Sequence, residues 1–258
     1  MKPPGRTKEK LASGQVALGA WNMIPHPAVA EILAGENFDW VAADLEHAAH
    51  TAATIEQVAR VAHAAGKDCL ARLPACDPVA AKVALDAGAD GIIVPSVNTP
   101  DLARQAVAMA KYPPEGIRGT SLARCTDYGR RFAEYVGAHN ARVVVVVMLE
   151  HEEAVRHADA ILAVPGLDAA LIGPYDLSAS MGRSGQIDHP EVLAAQAALR
   201  EACLRHGVAP GIHVVPLDPP QVTRRLAQGF RFLALGLDTG FLIEGCRAML
   251  AAARPPSS

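Results

Sequence analysis

The chain has 258 residues, of which half are apolar, only 4% are aromatic and 50 are alanine. That much apolar surface excludes a disordered chain, and alanine in place of aromatic and β-branched residues disfavours an all-β sandwich. Lys and Arg total 24 against 27 Asp and Glu, a formal net charge of -3, so no basic excess is present to hold a nucleic-acid backbone.

The leading MKPPGRTKEKLASG is charged and lacks an apolar segment, so it does not read as a signal peptide. Beyond it, short apolar runs alternate with alanine-rich amphipathic stretches. A strand is expected over Val16–Ala20 and a helix over 26–34, then a strand over Trp40–Asp44 and a helix over 54–65. Cys69–Arg72 leads to a helix at 78–87, and Gly91–Val94 to one at 99–110. The connection over 95–142 is unusually long, carrying YPPEGIRG at 112–119 and a short helix expected at 128–139. Val143–Leu149 precedes a helix at 151–162, Ala169–Gly173 one at 190–206, Val208–Ile212 one at 219–228, and Phe230–Gly236 one at 239–252.

Asp77-Pro78, Thr99-Pro100, His189-Pro190 and Asp218-Pro219 each set a capping residue before proline, the signature of a helix start. Glycines in AlaGlyAlaAsp, ProGlyLeuAsp and GlnGlyPhe supply the turn from helix back to strand. The most apolar run, Val143–Leu149, is seven residues, far below the roughly 20 that span a bilayer, so it reads as a buried strand and no membrane partner is expected. Five cysteines, an odd number with no CxxC pair, point to a reducing cytoplasm. Eight βα units without a linker predict one (β/α)8 TIM barrel, an α/β fold with a single domain over 1–258. The rival open sheet lacks its dinucleotide and phosphate-loop signatures.

A barrel of this kind places its chemistry at the carboxyl ends of the strands. Collected there are Asp44-Leu-Glu-His47, Arg72, Glu150 and Gly173-Pro174-Tyr175-Asp176. Glu150 and Asp176 lie one βα unit apart, so their carboxylates either share a hard divalent ion or serve as helix-start acids. His47 beside Asp44 is either a general base or a loop histidine. Arg72 is either a fork for a substrate carboxylate or half of an ion pair. Arg118 and Arg124 flank the long connection as weaker anion-binding candidates. His151, Glu152 and Glu153 read as a solvated helix start, and Asp238-Thr239 as a cap.

Together, Asp44-Leu-Glu-His47, Arg72-Leu-Pro, YPPEGIRG, Glu150 after a Val-rich strand, and GPYDLSASMG at 173–182 with HisProGlu and ProGlyIle beyond resemble the HpcH/HpaI aldolase family over roughly 11–252. The resemblance implies a (β/α)8 barrel and a metal-dependent pyruvate aldolase that makes or cleaves 4-hydroxy-2-oxo acids, releasing pyruvate and an aldehyde. It implies Glu150 and Asp176 as ligands of Mg2+, Mn2+ or Co2+. Arg72 is implied to bind the pyruvate enolate, His47 with Asp44 to act as acid and base, and Gly173, Pro174, Tyr175 and Met148 to line the substrate. It further implies a homo-oligomer built on dimers that exchange the C-terminal helix, commonly assembled into hexamers. This chain departs from the family at Met148, where many relatives carry Gln, and at Tyr175, where some carry a small residue; both bear on substrate preference. Other enolate-forming lyases, acting on CoA thioesters or by decarboxylation, and a non-catalytic barrel are the competing readings. With six lysines and none placed at the barrel mouth, a Schiff-base aldolase is disfavoured.

Overall fold

Strands buried on both faces need helices outside and a filled centre inside, and only closure removes their edges. The computed structural model describes residues 6–215 and 217–253, and its eight parallel strands close in chain order from β1 to β8. They are β1 (Ala17–Asn22), β2 (Trp40–Asp44), β3 (Asp68–Arg72), β4 (Gly91–Val94), β5 (Val144–Leu149), β6 (Ala169–Ile172), β7 (Ala209–Val214) and β8 (Phe232–Leu237). The helices are α1 (Arg6–Ala12), α2 (Pro27–Gly35), α3 (Ala52–Ala64), α4 (Pro78–Ala87), α5 (Pro100–Ala110), α6 (Phe132–Arg142), α7 (Glu152–Arg156), α8 (Ala158–Leu162), α9 (Pro174–Ser180), α10 (Pro190–His206), α11 (Pro219–Ala227) and α12 (Asp238–Ala253).

Asp77, Thr99 and His189 accept backbone N–H bonds at the starts of α4, α5 and α10, as their sequence context predicts, whereas Asp218 makes no such bond. Gly88 ends α4 at φ 108, a left-handed turn that a β-carbon would strain. The helix expected at 151–162 divides at His157 into α7 and α8, and the one expected at 128–139 lies later, as α6. Two helices, α1 and α9, are additional to the sequence expectation. Among the described residues no helix is long and apolar enough to cross a membrane.

Alternate strand residues point inward. The inner set includes Ala17, Trp21, Trp40, Ala42, Leu70, Ile93, Val144, Val146, Met148, Leu171, Phe232 and Ala234, with Trp40 stacked on Phe232 at 4.6 Å. The outer set, Val145, Val147, Leu149, Ile92 and Ile172 among them, meets alanines of α4, α5 and α10. Small helix residues let those helices lie close to the sheet, which accounts for the alanine content.

At the foot of the barrel an aspartate recurs before a strand and accepts a backbone N–H from the strand before it. Asp39 takes Leu18, Asp90 takes Cys69 and Asp168 takes Val145, at 2.8–2.9 Å. Helix α1 closes this end: Lys8 reaches Asp168 at 2.7 Å and the Val143 carbonyl at 2.8 Å, and Lys10 reaches Asp39. Leu11 joins the inner cluster from below.

The long connection is pinned by Arg118, which is buried rather than offered to an anion. Its guanidinium meets Asp86 at 2.9 Å and lies 4.7 Å from the Tyr112 ring centre. Beside it, the buried His139 ring has Nε2 2.8 Å from both the Ala110 carbonyl and Arg118 Nη1, with Nδ1 3.3 Å from the same guanidinium nitrogen. Burial, and then the Arg118 charge, push this imidazole from 6.5 down to about 4. The unfolded chain therefore binds a proton that the fold refuses, so stability is complete above pH 6.5 and declines as pH falls toward about 4. The expected loss over that interval is about 3 kcal/mol. Urea unfolding of wild type and His139→Leu across this range checks it: the variant should show a flatter dependence, and equal slopes would refute the assignment.

Helix α12 follows β8 and then leaves the barrel surface. Leu242, Met249 and Leu250 are 62%, 74% and 53% exposed. A second apolar face, between α3, α4 and the long connection, carries exposed Val79, Val83 and Ile117 around a groove of about 960 Å³.

Candidate active site

The inward rows end at the mouth in side chains unlike those below them. On β5 the inward Val144, Val146 and Met148 are followed by Glu150. On β2 and β3 the last inward positions are Asp44 and Arg72, directly paired in register. Leu149↔Ile172 and Ile172↔Ile212 bring Glu150, Gly173 and His213 to one level across β5, β6 and β7. β1 contributes Trp21.

Arg72 is 7% exposed, with Nη2 2.5 Å from Glu46, Nη1 3.3 Å from Asp44, and its guanidinium 5.3 Å from the Trp21 ring centre. Asp44 also accepts the backbone N–H groups of Glu46 and His47, both at 2.9 Å, and so fixes the turn after β2. The expected pairing of the His47 imidazole with Asp44 is corrected here. Asp44 is occupied by Arg72 and the turn, while the His47 side chain stands 56% exposed with Glu46 at 3.7 Å.

Glu150 is buried, and its Oε1 accepts the Ser96 N–H at 2.8 Å. Ser96 holds φ 53, a left-handed conformation that aims this N–H at the carboxylate. Oε2 is buried with no hydrogen-bond partner. A β-carbon on Gly173 would stand 2.7 Å from that oxygen. Burial raises the proton affinity of Glu150, with Asp176 and Glu46 adding to it against Arg72. Glu46 is raised too, first by burial, with Asp44 and Asp176 contributing against Arg72 and His47. Four carboxylates thus face one guanidinium at this mouth.

The helix-start alternative does not describe Glu150, whose carboxylate is bonded to Ser96, but it does describe the place of Asp176. His151 caps α7, and Asp176 lies in the first turn of α9, whose N-cap Gly173 makes no side-chain bond. Among the described residues no three His, Cys, Asp or Glu side chains converge as a ready metal cage. A hard divalent ion needs only one or two protein carboxylates. The pair Glu150 and Asp176, with a partnerless buried oxygen and a glycine keeping it open, fits such an ion.

Pro174 and Met148 are buried, whereas Tyr175 and Asp176 are exposed. Sequence reasoning missed Glu46 as a partner of Arg72, and Ser96, Trp21 and His213, and read Asp238 only as a cap. Asp238 does cap α12 through Thr239, but its other oxygen accepts the Asn22 side chain and the N–H groups of Met23 and Ile24 at 2.9–3.0 Å. His50 lies close by, its Nε2 2.9 Å from the Asn22 carbonyl.

The model of the family described as HpcH/HpaI aldolase/citrate lyase matches residues 18–245. The chain is 38% identical over 249 residues to a 4-hydroxy-2-oxo-heptane-1,7-dioate aldolase of Salmonella paratyphi C, covering 95% of this chain and 92% of that one. It is 34% identical over 237 residues to a 5-keto-4-deoxy-D-glucarate aldolase of Shigella dysenteriae, with 92% of each chain covered. A crystal structure of a protein of this aldolase/citrate lyase family from Burkholderia cenocepacia superposes with a TM-score of 0.91 at 33% identity, covering 96% of this chain and 98% of that chain.

Proposed function

The chain belongs to the HpcH/HpaI aldolase/citrate lyase family, and from that premise we propose that it is a divalent-metal-dependent aldolase that cleaves or forms 4-hydroxy-2-oxo acids, with pyruvate and an aldehyde as the two halves. The observation that carries the metal reading is the buried, partnerless Oε2 of Glu150 beneath Gly173. Glu150 and Asp176 would hold the ion, and their oxygen-only character favours Mg2+, Mn2+ or Co2+. Such an ion, when bound, supplies Lewis-acid stabilisation to the charge that develops on the 2-oxo acid.

The remaining work falls to the chain. Arg72, held against Trp21 by Asp44 and Glu46, presents a fixed positive charge to the carboxylate and to the enolate oxygen as it forms. His47, exposed at the rim, takes the proton from the C4 hydroxyl; the C3–C4 bond breaks, the aldehyde leaves, and the electron pair remains as the pyruvate enolate. Asp44 serves that step through the backbone of the turn, setting where His47 stands. Gly173, Pro174, Tyr175 and Met148 would line the substrate, with Met148 giving an apolar wall beneath Glu150.

We take residues 1–258 as one aldolase domain acting in the cytoplasm, in keeping with its odd, unpaired cysteine pattern. The two apolar faces, one on α12 and one between α3 and α4, support a homo-oligomer built on dimers and extended toward a hexamer.

Protein stripped with a chelator and supplied with a panel of 4-hydroxy-2-oxo acids should release pyruvate only after Mn2+, Mg2+ or Co2+ is restored. Failure to cleave any of them, together with failure to condense pyruvate with any aldehyde under all three metals, would overturn the reading.

A further inference from the structure

The turn that carries the proposed base is held at its far end by a side chain with no part in the steps above. The His47 ring is 56% exposed, with Glu46 no nearer than 3.7 Å, so its place is set by the backbone beneath it. At the near end of that turn Leu45 donates its N–H to the Arg72 carbonyl at 2.9 Å, and Asp44 accepts the N–H groups of Glu46 and His47. At the far end, just before the Thr51 cap of α3, stands His50, 8% exposed.

His50 leaves its own loop to reach the last residue of β1. Its Nε2 lies 2.9 Å from the Asn22 carbonyl, in a contact buried on both sides. A carbonyl only accepts, so Nε2 carries the hydrogen and donates it. Nδ1 faces the Thr54 hydroxyl at 3.2 Å, in the first turn of α3. The ring therefore joins β1 to α3 across the loop that carries His47. Its anchor is itself fixed, because Asp238 gathers the Asn22 side chain and the N–H groups of Met23 and Ile24 at 2.9–3.0 Å. Burial holds this imidazole below its ordinary value, against the Asn22 bond and the charges of Asp44 and Asp238, so the brace is a neutral ring at pH 7. Helix α3 does not need it to begin, since Thr51 and Thr54 already form a reciprocal cap. An aliphatic side chain would fill the same buried place but would cut the link to Asn22.

We propose that His50 is a positioning residue for the proton-transfer step: it clamps the far end of the turn to Asn22, as Asp44 and Arg72 clamp the near end, and so sets the reach of His47 toward the C4 hydroxyl. This assignment rests on the aldolase reading above and deepens it. A base about 1 Å out of place costs up to about 10²-fold in rate while the substrate still binds.

The test is a double-substitution cycle on the full chain supplied with Mn2+, reading kcat and KM for cleavage of a 4-hydroxy-2-oxo acid. His50→Phe keeps a ring and removes both nitrogens. Its kcat should fall by about tenfold or more, with KM and the Mn2+ concentration for half-maximal rate within about twofold of wild type, since Arg72, Glu150 and Asp176 are untouched. His50→Gln, which restores an N–H donor, should recover most of the rate. In a His47→Ala background the same His50→Phe change should lower the residual rate by less than about twofold, because nothing is left to position. A reduced folded fraction would instead lower kcat equally in both backgrounds, and His50→Leu repeats the cycle should the phenyl ring disturb the fold. Wild-type kcat in both apolar variants, an equal fall in the two backgrounds with both, or wild-type kcat in His47→Ala overturns the assignment. Wild-type protein that cleaves no 4-hydroxy-2-oxo acid and condenses pyruvate with no aldehyde overturns the aldolase reading, and takes this assignment with it.

Discussion

Glu150→Gln should leave the barrel folded and lower kcat for 4-hydroxy-2-oxo acid cleavage by roughly 10³-fold. Metal-assisted charge stabilisation is worth several kcal/mol, and about 1.4 kcal/mol is a factor of ten in rate. The amide is nearly the shape of the carboxylate, so its oxygen can still accept the Ser96 N–H that now binds Oε1. What it lacks is the negative charge at the second oxygen. Circular dichroism and thermal melting would show the fold intact while the metal concentration for half-maximal activity rises. Wild-type kcat in this variant would remove Glu150 from the metal site, even with aldol chemistry established. Gly173→Ala tests the same oxygen from the other side. Gly173 has φ -93, which any residue adopts, so only space opposes the substitution. Its methyl group would stand 2.7 Å from Oε2 and push the carboxylate aside. A loss of about 10–100-fold in metal affinity is the expected size for a change beside a ligand.

The second large effect concerns assembly. Leu242→Lys with Leu250→Lys should weaken the self-association proposed through α12, read as a shift to a smaller species at micromolar concentration in sedimentation velocity. Each fully covered leucine contributes about 1.5–3 kcal/mol, and a dimer covers two copies of each. With Leu242 62% and Leu250 53% exposed to begin with, four such side chains sum to about 3.5–7 kcal/mol, more than 10²-fold in dissociation constant. The two substitutions lie on a helix that packs little on its own barrel, so unfolding does not explain a smaller species; the melting temperature should stay near that of wild type. A wild-type protein that sediments as a monomer, or a double variant that keeps the native oligomer, would refute the role given to α12.

The barrel was legible because its determinants are local: alternating apolar runs, proline after a capping residue, glycine at the returns. β2, β4, α4 and α10 have the bounds their sequence implies. Helix α1 was not, because it buries only Thr7 and Leu11 and is held by distant partners such as Asp168, which no local pattern announces. Much of the mouth was lost to boundaries. Trp21 lies one residue beyond the strand expected to stop at Ala20, and His213 one beyond the strand expected to stop at Ile212. A strand cut one residue short hides the very side chain that faces the chemistry. Ser96 went unnoticed for a different reason: its backbone N–H, not its side chain, reaches Glu150, and only its left-handed turn makes that possible. The motif Asp44-Leu-Glu-His47 named the right turn but misread its bonds, since adjacency in sequence suggested an acid–imidazole contact where the acid instead holds backbone.

The bond between Asp238 and the Asn22–Ile24 turn spans a sequence separation of 216 residues. On a ribosome the first strand is made early and the strand that covers its flank is made last. Throughout that interval the growing sheet carries two open edges, a state prone to pairing with other chains. The carboxylate that finally gathers the turn arrives one residue after β8, so a nascent chain arrested just short of Asp238 would have every strand and no clasp. The open flank should therefore last until β8 emerges and pairs with β1, and Asp238 then fastens the turn one residue later.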